Sequence, residues 1–214
     1  MVRKSCNLKI KRVESRSRAL ITTLEDEESK KNIYICSVHL DADRSSDPIM
    51  RERNQKQRQS QLKSLLKRIN YACKLEKQII KEAPILVAGD FNMLRENPLH
   101  ASLFEGSLTT SPSAYVSLVD AYMEAEHHKQ CSIPVYHFER PFDHENDVAA
   151  KKELHLVKTY KGGAILDYIW TSEKLNVVDT LLYHPKSSIA GAEKWPCDDH
   201  PSDHLPIGID LEWK

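Results

Sequence analysis

The sequence predicts one α/β domain. Three features carry that expectation: short apolar runs that end in polar residues, a long basic stretch with helical apolar spacing between two of them, and a length of 214 residues, ample for a sizeable core. The rest is arranged around Ile85-Leu86-Val87-Ala88-Gly89-Asp90-Phe91-Asn92. Bounded by Pro84 upstream and a polar break downstream, this run reads as a strand buried on both faces. It delivers Asp90 and Asn92 at its carboxyl end, where open α/β sheets place their chemistry. In extended chain Asp90 and Asn92 face one way and Phe91 the other, and Gly89 permits a turn or a close approach to a ligand.

In chain order, Leu8 to Glu14 and Ala19 to Leu24 predict a strand hairpin around the polar Ser15-Arg16-Ser17-Arg18, and Glu25 to Asn32 predicts a loop. Ile33 to Leu40 predicts a strand. Its alternation sets Tyr34, Cys36, Val38 and Leu40 on one face and Ile33, Ile35, Ser37 and His39 on the other. After a loop from Asp41 to Pro48, Arg51 to Glu82 predicts a helix stopped by Pro84, with Leu62, Leu65, Leu66, Ile69 and Cys73 as its buried stripe. A helix between two such strands is the connection a parallel pair requires. Beyond Asn92, Asn97-Pro98-Leu99 opens a short helix that Leu103 to Leu108 closes, and Tyr115 to Glu126 predicts another helix containing Asp120-Ala121-Tyr122. Ser132 to Glu153 reads as a charged insertion. Ala164 to Trp170, Val177 to Leu182 and the edge-forming Ile207 to Trp213 predict the last strands, with a loop from Tyr183 to Pro201.

The 31 Lys and Arg balance the 31 Asp and Glu, so the chain as a whole has no net attraction for polyanions. The charge is uneven, however. The first twenty residues and Arg51 to Lys81 are basic, while Asp90 to Glu153 is mostly acidic; a solvated helix face accounts for the basic stretches as well as a nucleic-acid track does. Cys6, Cys36, Cys73, Cys131 and Cys197 are odd in number and widely spaced, which argues against a disulfide framework or a structural zinc site and for a reducing compartment, cytoplasmic or nuclear. No apolar run reaches the length of about 18 residues that a membrane span needs. Arg3 to Arg18 has the composition of a mitochondrial transit peptide, but its apolar residues suit a strand better. His127, His128, Cys131, His137 and His144 match no metal-ligand spacing.

Three further polar strand ends accompany Gly89-Asp90-Phe91-Asn92: Ser37-Val38-His39-Leu40 before it, then Leu166-Asp167-Tyr168-Ile169, then Pro201-Ser202-Asp203-His204-Leu205-Pro206. A strand ending in His-Leu, a Gly-Asp-Phe-Asn, an Asp-Tyr-Ile and a Ser-Asp-His, in that order, resemble the endonuclease/exonuclease/phosphatase superfamily, the fold of deoxyribonuclease I. The last two motifs, with Thr159-Tyr160 ahead of them, are most similar to the branch of poly(A) deadenylases, nocturnin and angel proteins. The resemblance implies a four-layer α/β sandwich. It also implies a magnesium-dependent phosphodiesterase, with manganese able to substitute, acting on RNA as a 3′ exonuclease or deadenylase, or on a nucleotide phosphate.

Under that resemblance each requirement of phosphate-ester hydrolysis has a candidate. Asp90 orients or deprotonates water, Asn92 gives its amide to a phosphate oxygen, and His204, held by Asp167, stabilises the developing charge. Asp167 lies within an apolar strand, where a carboxylate is costly unless paired, and His204 is its natural partner. No activated Ser or Cys accompanies this Asp-His pair, which favours water as the nucleophile. His39 adds a phosphate contact, and Asp203 with Asp90 offers oxygen to magnesium. Arg58 and Gln61 match an Arg-x-x-Gln of the family and are expected to dock the helix.

The resemblance covers the chain from Lys9 onward but only the carboxyl-terminal part of the family's domain. The family's principal magnesium ligand, a Glu on an upstream strand, has no counterpart here. The expectation is therefore one incomplete domain over 1–214, with a hairpin at 8–24, a strand-helix-strand core at 33–92, an insertion at 132–153 and carboxyl-terminal strands at 159–214. Such a fragment would bind magnesium poorly. Other hydrolases of the superfamily, such as a DNA-repair nuclease, an inositol phosphatase or a sphingomyelinase, remain alternatives, as does a non-catalytic module that binds phosphate or nucleic acid. No membrane partner is expected, and substrate choice is not readable between the motifs.

Overall fold

The computed structural model describes residues 7–16, 18–42, 45–108, 116–123, 159–160, 164–181, 196 and 202–214. Six strands form one sheet in the order β1-β2-β3-β4-β6-β5: β1 (Leu8–Arg16), β2 (Ala19–Asp26), β3 (Asn32–His39), β4 (Ile85–Asp90), β5 (Leu118–Asp120) and β6 (Asp167–Ser172). β7 (Leu175–Thr180) and β8 (Ile209–Trp213) pair as a second, two-stranded sheet. The β3–β4 pair is parallel and is crossed by helix α1 (Pro48–Leu75), as the sequence requires, whereas the β1–β2, β2–β3, β4–β6 and β5–β6 pairs are antiparallel.

Alternation divides the large sheet into two working faces. Ile21, Tyr34, Cys36, Val38 and Val87 turn toward α1 and join Leu62, Leu65, Leu66, Ile69 and Cys73 in one buried cluster. The opposite face carries Leu24, Ile33, Leu86, Ala88 and Ile169, which meet Leu175, Val177, Ile209 and Leu211 of β7–β8. Helix, six-stranded sheet and two-stranded sheet thus stack in that order; these are three layers of the expected sandwich, and among the described residues no helix covers the outer side of β7–β8. β4 is covered on both sides, as its apolar run predicts. Cys36 and Cys73 are free and wholly buried, and burial pushes both thiols up, that of Cys73 to about 12.

Several predicted boundaries move, each for a local reason. α1 starts three residues before Arg51 because Asp47 caps it, its carboxylate accepting from Ile49 N at 2.9 Å, and Pro48 sits in the first turn. It ends at Leu75, well before Glu82. Lys77 adopts a left-handed backbone with φ 56°, Gln78 N donates to Cys73 O at 2.9 Å and Lys77 N to Lys74 O at 3.0 Å. This is the reverse turn that usually recruits Gly; a lysine there costs about 1 kcal/mol. Only a single 3₁₀ turn, Ile80–Glu82, separates it from Pro84. Lys30, in the β2–β3 turn, has the same backbone with φ 58°.

The helix predicted over Tyr115 to Glu126 is wrong at its centre. Leu118–Asp120 is instead the edge strand β5, paired with β6, and a helical turn over residues 121–123 follows it. Tyr115 and residues 124–126 lie outside the described set. Here sheet pairing overrides the local helical spacing. The buried Asp120 faces His100 Nε2 at 3.3 Å and Arg95 Nε at 3.4 Å. Tyr122 reaches across to Leu181 O and Gly208 at 3.0–3.1 Å, fastening this edge to the second sheet. β6, β7 and β8 are shorter than or shifted from their predicted spans, beginning at Asp167, Leu175 and Ile209. Short helix α2 (Pro98–Phe104), capped by Asn97, lies where expected.

Ser132 to Glu153, the five His and Cys residues from His127 to His144, and most of the Tyr183 to Pro201 loop lie outside the described residues. Among the described residues no helix is long and apolar enough to cross a membrane.

Candidate active site

Register alone brings three of the predicted residues into one row. His39 is the Cα partner of Asp90 across the parallel β3–β4 pair, and Asp90 is the partner of Asp167 across the antiparallel β4–β6 pair. Partners opposite each other in a sheet share a face. That face is the one turned away from α1, and the row stands at its end. His204 reaches the row from the segment before β8 and forms an isolated bridge with Tyr160. One open cleft of about 450 Å³ is lined by His39, Asp90, Asn92, Asp167, Asp203 and His204, together with Tyr160, Leu166, Ala42 and Ser202. Every residue singled out from the sequence for catalysis, substrate or metal therefore borders the same space.

Asp90 is held by Asn92. Asn92 N donates to Asp90 Oδ1 at 2.8 Å, and Asn92 Nδ2 donates to Asp90 Oδ2 at 3.0 Å and to Leu40 O at 2.9 Å. The extended geometry expected of Asn92 does not occur. Its backbone is left-handed, with φ 48°, so the side chain folds back on the carboxylate while Phe91 still enters the core. Both amide hydrogens are thus engaged within the protein. Two imidazoles also face the same oxygen, His39 Nε2 at 3.6 Å and His204 Nε2 at 3.9 Å from Asp90 Oδ2. His204 Nδ1 lies 2.7 Å from Asp167 Oδ2, the pairing the buried carboxylate calls for.

Burial pushes the Asp90 carboxyl above its ordinary value. The Asn92 N–H opposes this, the Asp167 charge adds to it, and His204 and His39 oppose it. A folded-state carboxyl that holds its proton more tightly than the unfolded one stabilises the fold at acid pH. That contribution is complete below the unfolded value near 3.9 and is lost as pH rises through the raised folded value. Asp90→Asn is expected to remove this slope from a plot of melting temperature against pH. An unchanged slope would assign it to another group.

Behind these groups stands a shell built largely of residues that the motifs mark, Thr159, Tyr160, Tyr168, Arg58 and Gln61, whose contacts the sequence does not disclose. Thr159 is fully buried, and its hydroxyl accepts from Leu166 N at 2.8 Å and Asp167 N at 3.1 Å while its carbonyl accepts from Leu205 N at 2.8 Å. It therefore clamps the segment bearing Asp167 to the segment bearing His204. The Tyr160 ring stands against the His204 ring with centroids 5.1 Å apart. Tyr168, alternating inward from Asp167, donates toward Met93 O at 2.9 Å and Ile165 O at 3.0 Å, pinning the loop after β4. Asp41 gathers the other side: Arg18 pairs with it, Gln57 and Gln61 donate to its carboxylate at 2.5 and 2.7 Å, and buried Arg58 donates to its carbonyl at 3.2 Å. Arg58 and Gln61 thus fasten α1 to the loop after His39. Gly89 makes its close approach to Val38 of β3, where an added Cβ would overlap the carbonyl oxygen.

A resident magnesium site does not fit the described residues. Among the described residues no group of three His, Cys, Asp or Glu is placed to hold a metal ion. Ser202 lines the cleft, but its hydroxyl accepts from His204 N at 3.0 Å.

No protein-family model and no curated protein sequence matches the chain. Solved structures do. The human nocturnin catalytic domain with bound sulfate matches at 20% identity with a TM-score of 0.56, over 97% of this chain and 61% of that one. ANGEL2, a 2′,3′-cyclic phosphatase in complex with adenosine-2′,3′-vanadate, matches at 18% identity and a TM-score of 0.60, over 97% of this chain and 68% of that one. An endonuclease/exonuclease/phosphatase from Bacteroides vulgatus matches at 17% identity and a TM-score of 0.51, over 99% and 68%. The chain thus spans about three fifths of the nocturnin catalytic domain. The fold of this chain is the one shared by nocturnin, ANGEL2 and the endonuclease/exonuclease/phosphatase from Bacteroides vulgatus.

Proposed function

We propose that the chain is the carboxyl-terminal portion of a phosphodiesterase that hydrolyses RNA from its 3′ end, in the manner of a deadenylase, or a nucleotide phosphate. The observation that carries this reading is the cross-strand row of His39, Asp90 and Asp167, completed by His204 at 2.7 Å from Asp167 around one open cleft. Two imidazoles beside a carboxylate supply what an in-line attack on phosphorus needs, namely a proton acceptor and positive charge for the non-bridging oxygens. Asp90, its carboxyl raised by burial, takes the proton of the attacking water. His204, steadied by Asp167, donates to the phosphate, His39 binds a second oxygen, and as the bond from phosphorus to the ribose oxygen breaks that oxygen takes a proton from solvent. Because the Asn92 amide is used internally, it is better assigned to aiming Asp90 than to holding phosphate. The Ser202 hydroxyl is turned to the His204 backbone, which leaves water as the nucleophile.

The fold shared with nocturnin and ANGEL2 supports the same class of chemistry, and the adenosine-2′,3′-vanadate of ANGEL2 supports a phosphate ester in such a cleft. Magnesium is implied by the family resemblance alone, and no step above depends on it. The test is hydrolysis of a labelled oligoadenylate by this chain with magnesium, with manganese and with chelator, beside Asp90→Ala. Cleavage abolished by Asp90→Ala supports the reading. RNA binding unaffected by magnesium or by Asp90→Ala, with no cleavage, would favour the non-catalytic module.

A further inference from the structure

We infer that the end of the sheet opposite the catalytic row carries a second, non-catalytic site for single-stranded nucleic acid; the inference rests on the phosphodiesterase reading and names how a long substrate would be held. A cleft of about 370 Å³ opens between the start of β3, the end of α1, the β6–β7 turn and the end of β8. Lys30, Lys31, Lys77, Lys174 and Lys214 line it, with Glu76 and Glu82 as its acids and Trp213 at its edge. The two acids are already committed, Glu76 to Lys11 at 2.7 Å and Arg12 at 3.9 Å, and Glu82 to Lys174 at 2.5 Å. Lys30, Lys31 and Lys77 are exposed and form no ion pair among the described residues, though Asp26 lies within electrostatic reach of Lys30. The cleft therefore presents uncompensated positive charge.

Backbone conformation marks it further. Three described residues other than glycine have positive φ: Asn92 in the catalytic cleft, and Lys30 and Lys77 on this one. At both lysine positions glycine would relax the backbone, so stability alone does not account for a long cation there. Strained residues of this kind gather at binding and catalytic sites. Trp213, 37% exposed, adds a ring on which a base can stack. Lysines and an aromatic around a concave surface form the usual platform for a single strand, and they suit it better than a flat membrane surface or a peptide. The cleft opens at Asn32 and the row stands at His39, seven residues or about 23 Å along β3, a span a strand of several nucleotides covers.

The test uses the double variant Lys30→Gly/Lys77→Gly, which removes two charges while relaxing two strained positions. Anisotropy of a labelled twenty-nucleotide oligoadenylate is followed against salt, with Asp90→Ala in both chains for this measurement to stop cleavage. The expected result is affinity about tenfold weaker at low salt, a salt slope reduced by about 1.4, and a raised melting temperature, since each phosphate contact contributes about 0.7 to the slope. Hydrolysis of a dinucleotide, too short to reach this end, should stay at the wild-type rate. An unchanged slope overturns the inference and leaves the catalytic reading standing. Displacement by poly-glutamate as effective as by unlabelled oligoadenylate also overturns it, in favour of an acidic polypeptide. Lysine-dependent binding by a chain that cleaves no phosphodiester keeps this site and defeats the catalytic reading instead.

Discussion

Replacing Asp167 by Asn should lower turnover by about a hundred- to ten-thousand-fold, with the cooperative unfolding transition retained. The carboxylate lies 2.7 Å from His204 Nδ1 and is the partner of Asp90 in the sheet, so it acts on both members of the site. An Asn keeps the shape but removes the carboxylate, and its N–H₂ offers His204 Nδ1 a donor where an acceptor is needed. The ring then holds its proton on Nε2, where it can still donate to the phosphate, but the Nδ1–H···Oδ2 bond that fixes its orientation is gone. Kinetics on oligoadenylate, with near-ultraviolet circular dichroism as the control for packing, measures this. Activity that survives intact would remove Asp167 and His204 from the mechanism. A fall in activity accompanied by lost packing would mark the pair as structural.

Gly89→Ala should cost about 4 kcal/mol, a large share of the ~5–15 kcal/mol that stabilises a domain. Two penalties coincide at this position. Its φ of 139° is a backbone conformation L residues rarely adopt, and a Cβ there meets the Val38 carbonyl across the central parallel pair. Neither strand can withdraw, because β3 and β4 are each paired on both sides. The neighbouring Ala88→Gly is the control, expected to cost about 1 kcal/mol from backbone entropy alone. Urea midpoints of the two variants decide the matter. Equal shifts would mean that the close approach relaxes and that the glycine is dispensable.

The sequence carried the site further than the fold around it. His39 and Asp90 are legible because each ends a strand, where a polar side chain can meet solvent and substrate, whereas Asp167 and His204 are legible through their likeness to the family's motifs. The α1 stripe and the parallel crossover were legible from periodicity. What failed depended on partners far away in the chain. Nothing within residues 115–126 announces that Val119 pairs with Thr171, so a helix was the better local reading of a segment that long-range pairing makes a strand. The end of α1 was missed because Lys77 occupies a turn position where glycine is the usual signal. Thr159 is marked by the branch resemblance, but the two backbone N–H groups that its hydroxyl accepts cannot be read from the sequence. The left-handed backbone of Asn92, which folds its amide back on Asp90, cannot be read from the sequence.

The row of cross-strand partners also constrains how activity emerges during folding. His39 and Asp90 are 51 residues apart in sequence and Asp90 and Asp167 are 77 apart, by subtraction of their numbers, yet each pair sits directly opposite in the sheet. Local helix formation is fast, whereas closing loops of that size waits on the slow, high-contact-order part of the search. A one-residue slip of β4 would turn Asp90 toward α1 and bring Gly89 or Phe91 into the row. Correct registry of the central strands is therefore a precondition for any active molecule.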